Sequence, residues 1–544
     1  MAGFAITVKR EGVGKTMNYD LIQKVNNKIS HHTKICVVVG MLVGWFTHFY
    51  MLTHKLPNWD DATNLSMYGS GDFLGRWFLK YIHRVGTRYS IPAIHGVLMI
   101  FILTLAACLV LEILHLKSTT AAILVPALMV TFPSVACTMT FMFMSHTSAI
   151  AIFMICLAVY LLRKYKWGFV PCTVFLICSL GVYQSYISIA IALMLLGMIV
   201  DILEDKDVWK TLRHGILCVV VLLVTVGIYM WLCHVIYPNI DSQEYGGIGN
   251  MGDIAISEMP RLIARCYKRF LEFFIWKPFS FMTKTMQIMN ICTCVLAAFL
   301  GVYVMVVKKI YQNVWKVVLL CALAVFVPLA AAFVYFMAPE ANYSMLMLYA
   351  YVLIYVAVIM LLEKAADVWE KQDYAGDKKR MLFCNVVSLA VVVVMSVSCY
   401  ANYLVSNKAY LRMEISYERV TSYFNRIIAS VEATEGYQNG DAVAILGEFH
   451  HAQNPSPVET IEVLDTEELR DMSGVALENG LITSGVRNDF IETFIGFDMA
   501  DLSEETKKEI MTSQQYLNMQ VYPATGSIQQ INGVWVVKMC EEYD

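Results

Sequence analysis

Eleven apolar runs, most of them near the roughly 20 residues that a helix needs to cross a bilayer, constrain this chain more than any other feature. They lie at about 35–52, 91–114, 119–141, 147–162, 168–183, 186–203, 215–237, 285–307, 316–337, 343–362 and 382–405. The fourth and fifth are short. The stretch 168–203 is too long for one crossing and is divided at Tyr183-Gln184-Ser185-Tyr186. Only 16% of the 544 residues are charged, against about 25% in soluble domains. The expected fold is therefore an α-helical polytopic membrane protein of about 11 spans. A net charge of −3 gives no basic field for nucleic acid. Most of the 15 cysteines sit inside the apolar runs, where they read as small buried side chains. No pair has metal-ligand or disulfide-framework spacing. No metal site or other cofactor is expected, and a metal requirement is left open.

Lysine and arginine counts orient the spans. With the N-terminus inside, the inner segments hold Lys117; Arg163, Lys164 and Lys166; Lys206, Lys210 and Arg213; Lys308, Lys309 and Lys316; and Lys364, Lys371, Lys378, Lys379 and Arg380. The short outer loops hold none. Two long outer segments are basic, at 53–90 and 238–284, and long loops escape the rule. Residues 1–34 read as a cytoplasmic segment before a signal anchor, with no cleavable leader. Residues 35–406 form the membrane domain. The odd span count puts residues 407–544 outside the cell membrane. That tail is polar enough for a small soluble α/β domain: an amphipathic helix over 408–433, a strand at Ala442-Val443-Ala444-Ile445-Leu446, and a hairpin. In the hairpin, Val521-Tyr522 and Val534-Trp535-Val536-Val537 flank a type I′ turn at Asn532-Gly533.

The first outer loop concentrates polar chemistry. It contains Pro57-Asn58-Trp59-Asp60-Asp61, then Gly69-Ser70-Gly71-Asp72, then Gly75-Arg76-Trp77-Phe78, with Lys80, His83, Arg84 and Arg88 following. Carboxylates at a membrane edge are functional candidates. Glycosyl transfer from a lipid phosphate needs a base for the acceptor hydroxyl and cations for the leaving phosphate. A carboxylate beside apolar surface has its pKa raised, which suits a base near neutrality. Arginine binds two phosphate oxygens with one fork. Asp60 and Asp61 are thus the catalytic candidates, with Asp60 slightly favoured, and both are expected to be exposed loop side chains that add little to packing. Arg76, Trp77, Arg84 and Arg88 are candidates for donor phosphate and sugar. The plain structural alternatives are a solvated Asp-Asp turn, a basic helix on lipid head groups and tryptophans serving as interfacial anchors.

Beyond this loop, Gly181-Val182-Tyr183-Gln184 forms an outer turn whose Tyr183 and Gln184 could bond a sugar, or could simply join two helices. The C-terminal piece holds Tyr522-Pro523-Ala524-Thr525-Gly526-Ser527-Ile528 and Gly533-Val534-Trp535-Val536-Val537-Lys538. Taken in order, the Asp-Asp loop, Gly-Arg-Trp, Pro-rich apolar runs, Gly-x-Tyr-Gln turn and this ending resemble the bacterial Gtr-type (type II) glucosyltransferases known from O-antigen modification. The resemblance covers nearly the whole chain. It implies a GT-C architecture, a polyprenyl-phosphate-sugar donor, a glycan acceptor and a catalytic carboxylate in the first outer loop, the role that Asp60 and Asp61 inherit. The expected activity is inverting transfer of a hexose, plausibly glucose, to a cell-surface glycan. The alternatives are a flippase of lipid-linked sugars and a polysaccharide polymerase or ligase. Transporters place polar sites mid-membrane, often within inverted repeats, and no repeat is present here. His146 is a further outer-end candidate, as a cavity or capping residue. Glu340 reads as a solvated loop carboxylate. Residues 258–277 read as an amphipathic helix at the membrane interface, either an anchor or a wall of the donor cavity.

Overall fold

The computed structural model describes residues 21–64, 74–87, 89–236, 255–339, 343–371, 378–447, 469, 472–475 and 484–540. Asp72, Arg88 and Glu340 lie outside the described residues. The membrane part comprises α1 (Leu21–Lys28), α2 (His31–Thr53), α3 (Trp59–Thr63), α4 (Leu79–Ile82), α5 (Pro92–Ile113), α6 (Thr119–Thr131), α7 (Pro133–Met139), α8 (Ser145–Lys164), α9 (Phe169–Leu180) and α10 (Ile187–Leu203). It continues with α11 (Val208–Ile236), α12 (Met259–Ile275), α13 (Lys284–Val307), α14 (Val314–Ala331), α15 (Val334–Met337), α16 (Val352–Lys371) and α17 (Lys378–Glu432).

Each of the eleven apolar runs carries helix. Among the described residues, nine helices are long and apolar enough to cross a membrane. The other two runs depart from simple spans. Run 119–141 is α6 and α7, bent by 46°. Pro133 opens α7 without an N–H to continue the ladder, and Phe132 before it adopts ψ 138°. Run 168–183 yields only the 12 residues of α9, about 18 Å at 1.5 Å per residue, short of a bilayer core. By length and composition, nine helices among the described residues qualify as single spans, or ten with the bent pair, against the eleven runs of the sequence.

Helices α2, α5, α6 and α8 pack on one another at the centre, with α10 beside α14 and α13 beside α16. By contrast α11, α13 and α14 expose Leu223, Val219, Val295, Val302, Val318 and Val325, as lipid-facing helices of a membrane protein do. The amphipathic α12 buries Leu262, Cys266, Phe270, Phe273 and Phe274, three of them against Tyr351. Its apolar face thus meets protein to a large extent, because the aromatic cluster completes its packing there.

One end of the bundle carries α3, Met142 and Gln184. The opposite end is closed by ionic groups. Arg163 and Lys206 both reach Asp201, at 2.8 and 2.7 Å. Lys364 and His115 pair with Glu204, at 2.6 and 2.8 Å. Burial pushes the Glu204 carboxyl up, but these two partners overcome it and hold it at about 2. Glu363 accepts from Ser118 N and Oγ, at 3.2 and 2.8 Å, and so satisfies the start of α6.

Helix α17 runs 55 residues, about 80 Å. It contains no Gly or Pro, so the run at 382–405 and the helix expected at 408–433 are one continuous rod. Past it, β1 (Val443–Leu446), β2 (Ile528–Ile531) and β3 (Val534–Lys538) form a sheet of order β1-β3-β2. The hairpin turns at Asn532-Gly533, both with positive φ, the geometry of a type I′ turn. Its first strand is Ile528–Ile531, not Val521-Tyr522, because a two-residue turn pairs Ile531 directly with Val534.

Candidate functional site

Helix α3 starts where Asn58 caps its first turn. Asn58 Oδ1 accepts from Asp61 N at 2.9 Å. The cap fixes Asp60 and Asp61 in the first helical turn, where carboxylates suit the helix dipole. Neighbours on a helix diverge by about 100°, and the two aspartates have different surroundings.

Asp61 is fully buried, not an exposed loop carboxylate. Its Oδ1 accepts from Ser90 Oγ at 2.7 Å and Phe143 N at 3.2 Å, and its Oδ2 from Met142 N at 3.3 Å. Lys55 Nζ lies 3.5 Å from Oδ1 and donates to Ser90 Oγ at 2.9 Å. A buried charge persists when it is paired and hydrogen-bonded in this way. What it holds is the turn between α7 and α8. His95 holds the same turn from the carbonyl side, its Nδ1 lying 3.3 Å from Met142 O. Burial, then the nearby His95, lowers the His83 imidazole to about 4, so it is neutral at pH 7. His146 is buried against both, with ring centroids 4.5 Å from His95 and 5.6 Å from His83. Among the described residues no three His, Cys, Asp or Glu side chains are arranged to hold a metal, this trio included.

Asp60 is half-buried, and among the described residues it lacks the donors that surround Asp61. Burial pushes its carboxyl up, the charge of Asp61 adds to this, and Arg76 opposes it. Asp60 is therefore an underused carboxylate within electrostatic reach of a guanidinium.

The Gly75-Arg76-Trp77 segment and the Gly181-Val182-Tyr183-Gln184 turn, far apart in sequence, meet in space. Arg76 lies over the Tyr183 ring, 4.8 Å from its centroid, a cation–π distance. Phe78 N donates to Gly181 O at 2.8 Å. Trp77 packs over Gly181 so closely that a Cβ there would fall 2.8 Å from the indole. Gln184 Nε2 donates to Leu74 O at 2.5 Å and to Tyr229 Oη at 2.9 Å. Tyr229 Oη donates in turn to Gly75 O at 3.1 Å. Arg84 is exposed on the turn after α4, and no described contact brings it to Asp60 or Arg76.

Sequence reasoning missed the roles of Ser90, His95 and Tyr229. All three are ordinary interfacial residues until the fold brings them to the first loop. It also missed the C-terminal part. Thr140 Oγ1 donates to Ser473 O at 3.0 Å. Gly474, at φ +80°, sits where a Cβ would fall 2.0 Å from Thr140 Oγ1 and 3.2 Å from Asn58 Nδ2. Helix α18 (Ser484–Phe490) packs on α3.

A family model described as Glucosyl transferase GtrII matches residues 49–362, which include α3, Gly75-Arg76-Trp77, Tyr183-Gln184 and Tyr229. No curated protein and no solved structure matches the chain.

Proposed function

Because the chain belongs to the GtrII glucosyl transferase family, we propose that it moves glucose from a polyprenyl-phosphate donor to a hydroxyl of a cell-surface glycan, at the outer face of a bacterial cell membrane. Asp60 is the general base. The acceptor hydroxyl gives its proton to the Asp60 carboxylate as its oxygen bonds the anomeric carbon. The bond from that carbon to the phosphate oxygen breaks, and its electron pair leaves with the lipid phosphate, whose charge Arg76 receives. Direct displacement inverts the anomeric centre. Trp77 supplies a flat apolar face beside the sugar, Tyr183 backs the Arg76 guanidinium, and Arg84 and Arg88 are further cations for the lipid phosphate.

The observation that carries this reading is the contrast between neighbours. Asp61 is consumed by four groups of the protein, whereas the Asp60 carboxyl is pushed up by burial and by Asp61 and lies within electrostatic reach of Arg76. The Lys/Arg asymmetry supports an inside N-terminus and an extracytoplasmic domain over 407–544, and the family implies a GT-C-like membrane domain over 35–406. The test is transfer by the purified protein from synthetic polyprenyl-phosphate glucose to a defined glycan. Asp60→Asn is expected to melt like the parent and to lose transfer by about 10²–10⁴. Transfer by Asp60→Asn at the parental rate would remove Asp60 as the base.

A further inference from the structure

We propose that Tyr229 and Gln184 are positioning residues that set the Arg76 guanidinium for the donor phosphate, so that Gln184 serves the backbone of the first loop rather than the sugar. This rests on the assignment of Arg76 to the phosphate.

Arg76 is the central residue of a short segment held from both sides. Before it, the carbonyls of Leu74 and Gly75 are taken by Gln184 Nε2 and Tyr229 Oη. These two side chains bond each other at 2.9 Å, so Gln184 spends both of its amide hydrogens here, one on Leu74 O and one on the phenol. Neither hydrogen remains for a ligand. After it, the Phe78 amide is bonded to Gly181 O at 2.8 Å, and Trp77 lies against Gly181. Gly75 takes φ +73°, and a side chain there would meet Tyr229 Oη at 2.6 Å. The backbone thus comes close enough for the phenol to bond its carbonyl. Tyr183, in the same turn as Gln184, offers its ring to the guanidinium.

The Gly181–Gln184 turn and α11 therefore fix the backbone on either side of Arg76 and the face on which its side chain rests. Among the described residues the guanidinium Nε is buried without a hydrogen bond, so the described contacts that orient the fork are backbone and ring. Asp60 acts on it through charge, and the hydrogen-bonding edge of the fork is left for an incoming anion. Tyr229 sits on α11, whose outward side chains are largely exposed, so its hydroxyl is one of the few polar groups by which that helix touches the site.

The experiment is a titration of the full-length protein with synthetic polyprenyl-phosphate glucose at saturating acceptor, and the reverse, for Tyr229→Phe, Arg76→Gln and the double variant. Tyr229→Phe removes one oxygen and keeps the ring. It is expected to raise the donor KM about 3–10-fold, an effect of the size of one hydrogen bond, with kcat and acceptor KM nearly unchanged and a melting temperature close to the parent's. Arg76→Gln is expected to raise donor KM further. In its background Tyr229→Phe should do nothing more, because the hydroxyl acts through the arginine. An added loss in the Arg76→Gln background, or a shift in acceptor KM instead of donor KM, overturns the positioning role and leaves the phosphate assignment standing. Donor KM unchanged by Arg76→Gln itself overturns both. A melting temperature lowered in proportion to activity assigns Tyr229 to folding alone and also overturns the proposal.

Discussion

Adjacent aspartates look equivalent in a sequence, and burial makes them different. Asp61→Asn keeps the size but places an amide where Met142 N, Phe143 N and Ser90 Oγ all donate, and it strips Lys55 of its counter-charge. A buried donor left unmatched costs about 1–3 kcal/mol. Asp61→Asn is therefore expected to melt several degrees lower and accumulate poorly, whereas Asp60→Asn stays folded and inactive. Equal melting temperatures for the two variants would sink the distinction. The pH profile offers a second reading. A base works when deprotonated, and burial together with Asp61 raises the Asp60 carboxyl while Arg76 lowers it. The acid limb of kcat/KM should thus lie above the ordinary carboxylate range. Arg76→Gln removes the lowering influence and should move the limb to higher pH; movement to lower pH would exclude Asp60 as its origin. The Asp-Asp pair and Gly-Arg-Trp were legible in the sequence as residue types at a membrane edge. Their separate roles were not, because the groups that bury Asp61 come from positions 29, 81 and 82 residues further on. No local pattern encodes such a meeting.

Elements follow from sequence where one residue type dictates the backbone. Pro133 forces the bend after α6, and Asn532-Gly533 makes the hairpin turn. They are less legible where nothing interrupts them. The drop in hydropathy near residue 407 marks a change of surroundings, but with no Gly or Pro between 378 and 432 the helix simply continues. Along that rod, Tyr410 Oη meets His48 Nδ1 at 2.7 Å, Asn407 Nδ2 meets Thr47 O at 3.0 Å, and Glu414 bonds Tyr50. Together these fasten α17 to α2, the helix that leads into α3. A proline in the middle removes an N–H and clashes with the preceding turn, at about 3 kcal/mol or more. Ser406→Pro is expected to lower the melting temperature and to reduce transfer, although it lies far from Asp60 in sequence. A parental melting curve would mean that the rod tolerates a hinge.

At the scale of the molecule, the basic ends and the site lie at opposite poles of one bundle. The Lys/Arg asymmetry predicts that reporters fused in the 363–381 loop and after residue 544 fall on opposite sides of the membrane. Finding both on one side would overturn the orientation. The pole that carries α3 is also where the end of the chain returns. Gly474 lies against Thr140 and Asn58, and α18 packs on α3. Gly474→Val has no room in that contact and is expected to loosen the C-terminal part, seen as faster proteolytic release, while the membrane part stays folded. An unchanged cleavage rate would show that the contact carries little. The same return has a consequence in time. A ribosome delivers Asp60 and Arg76 early, among the first 80 residues, but the residues that cover α3 follow some 400 later. During synthesis Asp60 emerges long before the residues that cover α3 exist, and a chain stopped near residue 440 would own every catalytic candidate yet never finish the enclosure around them.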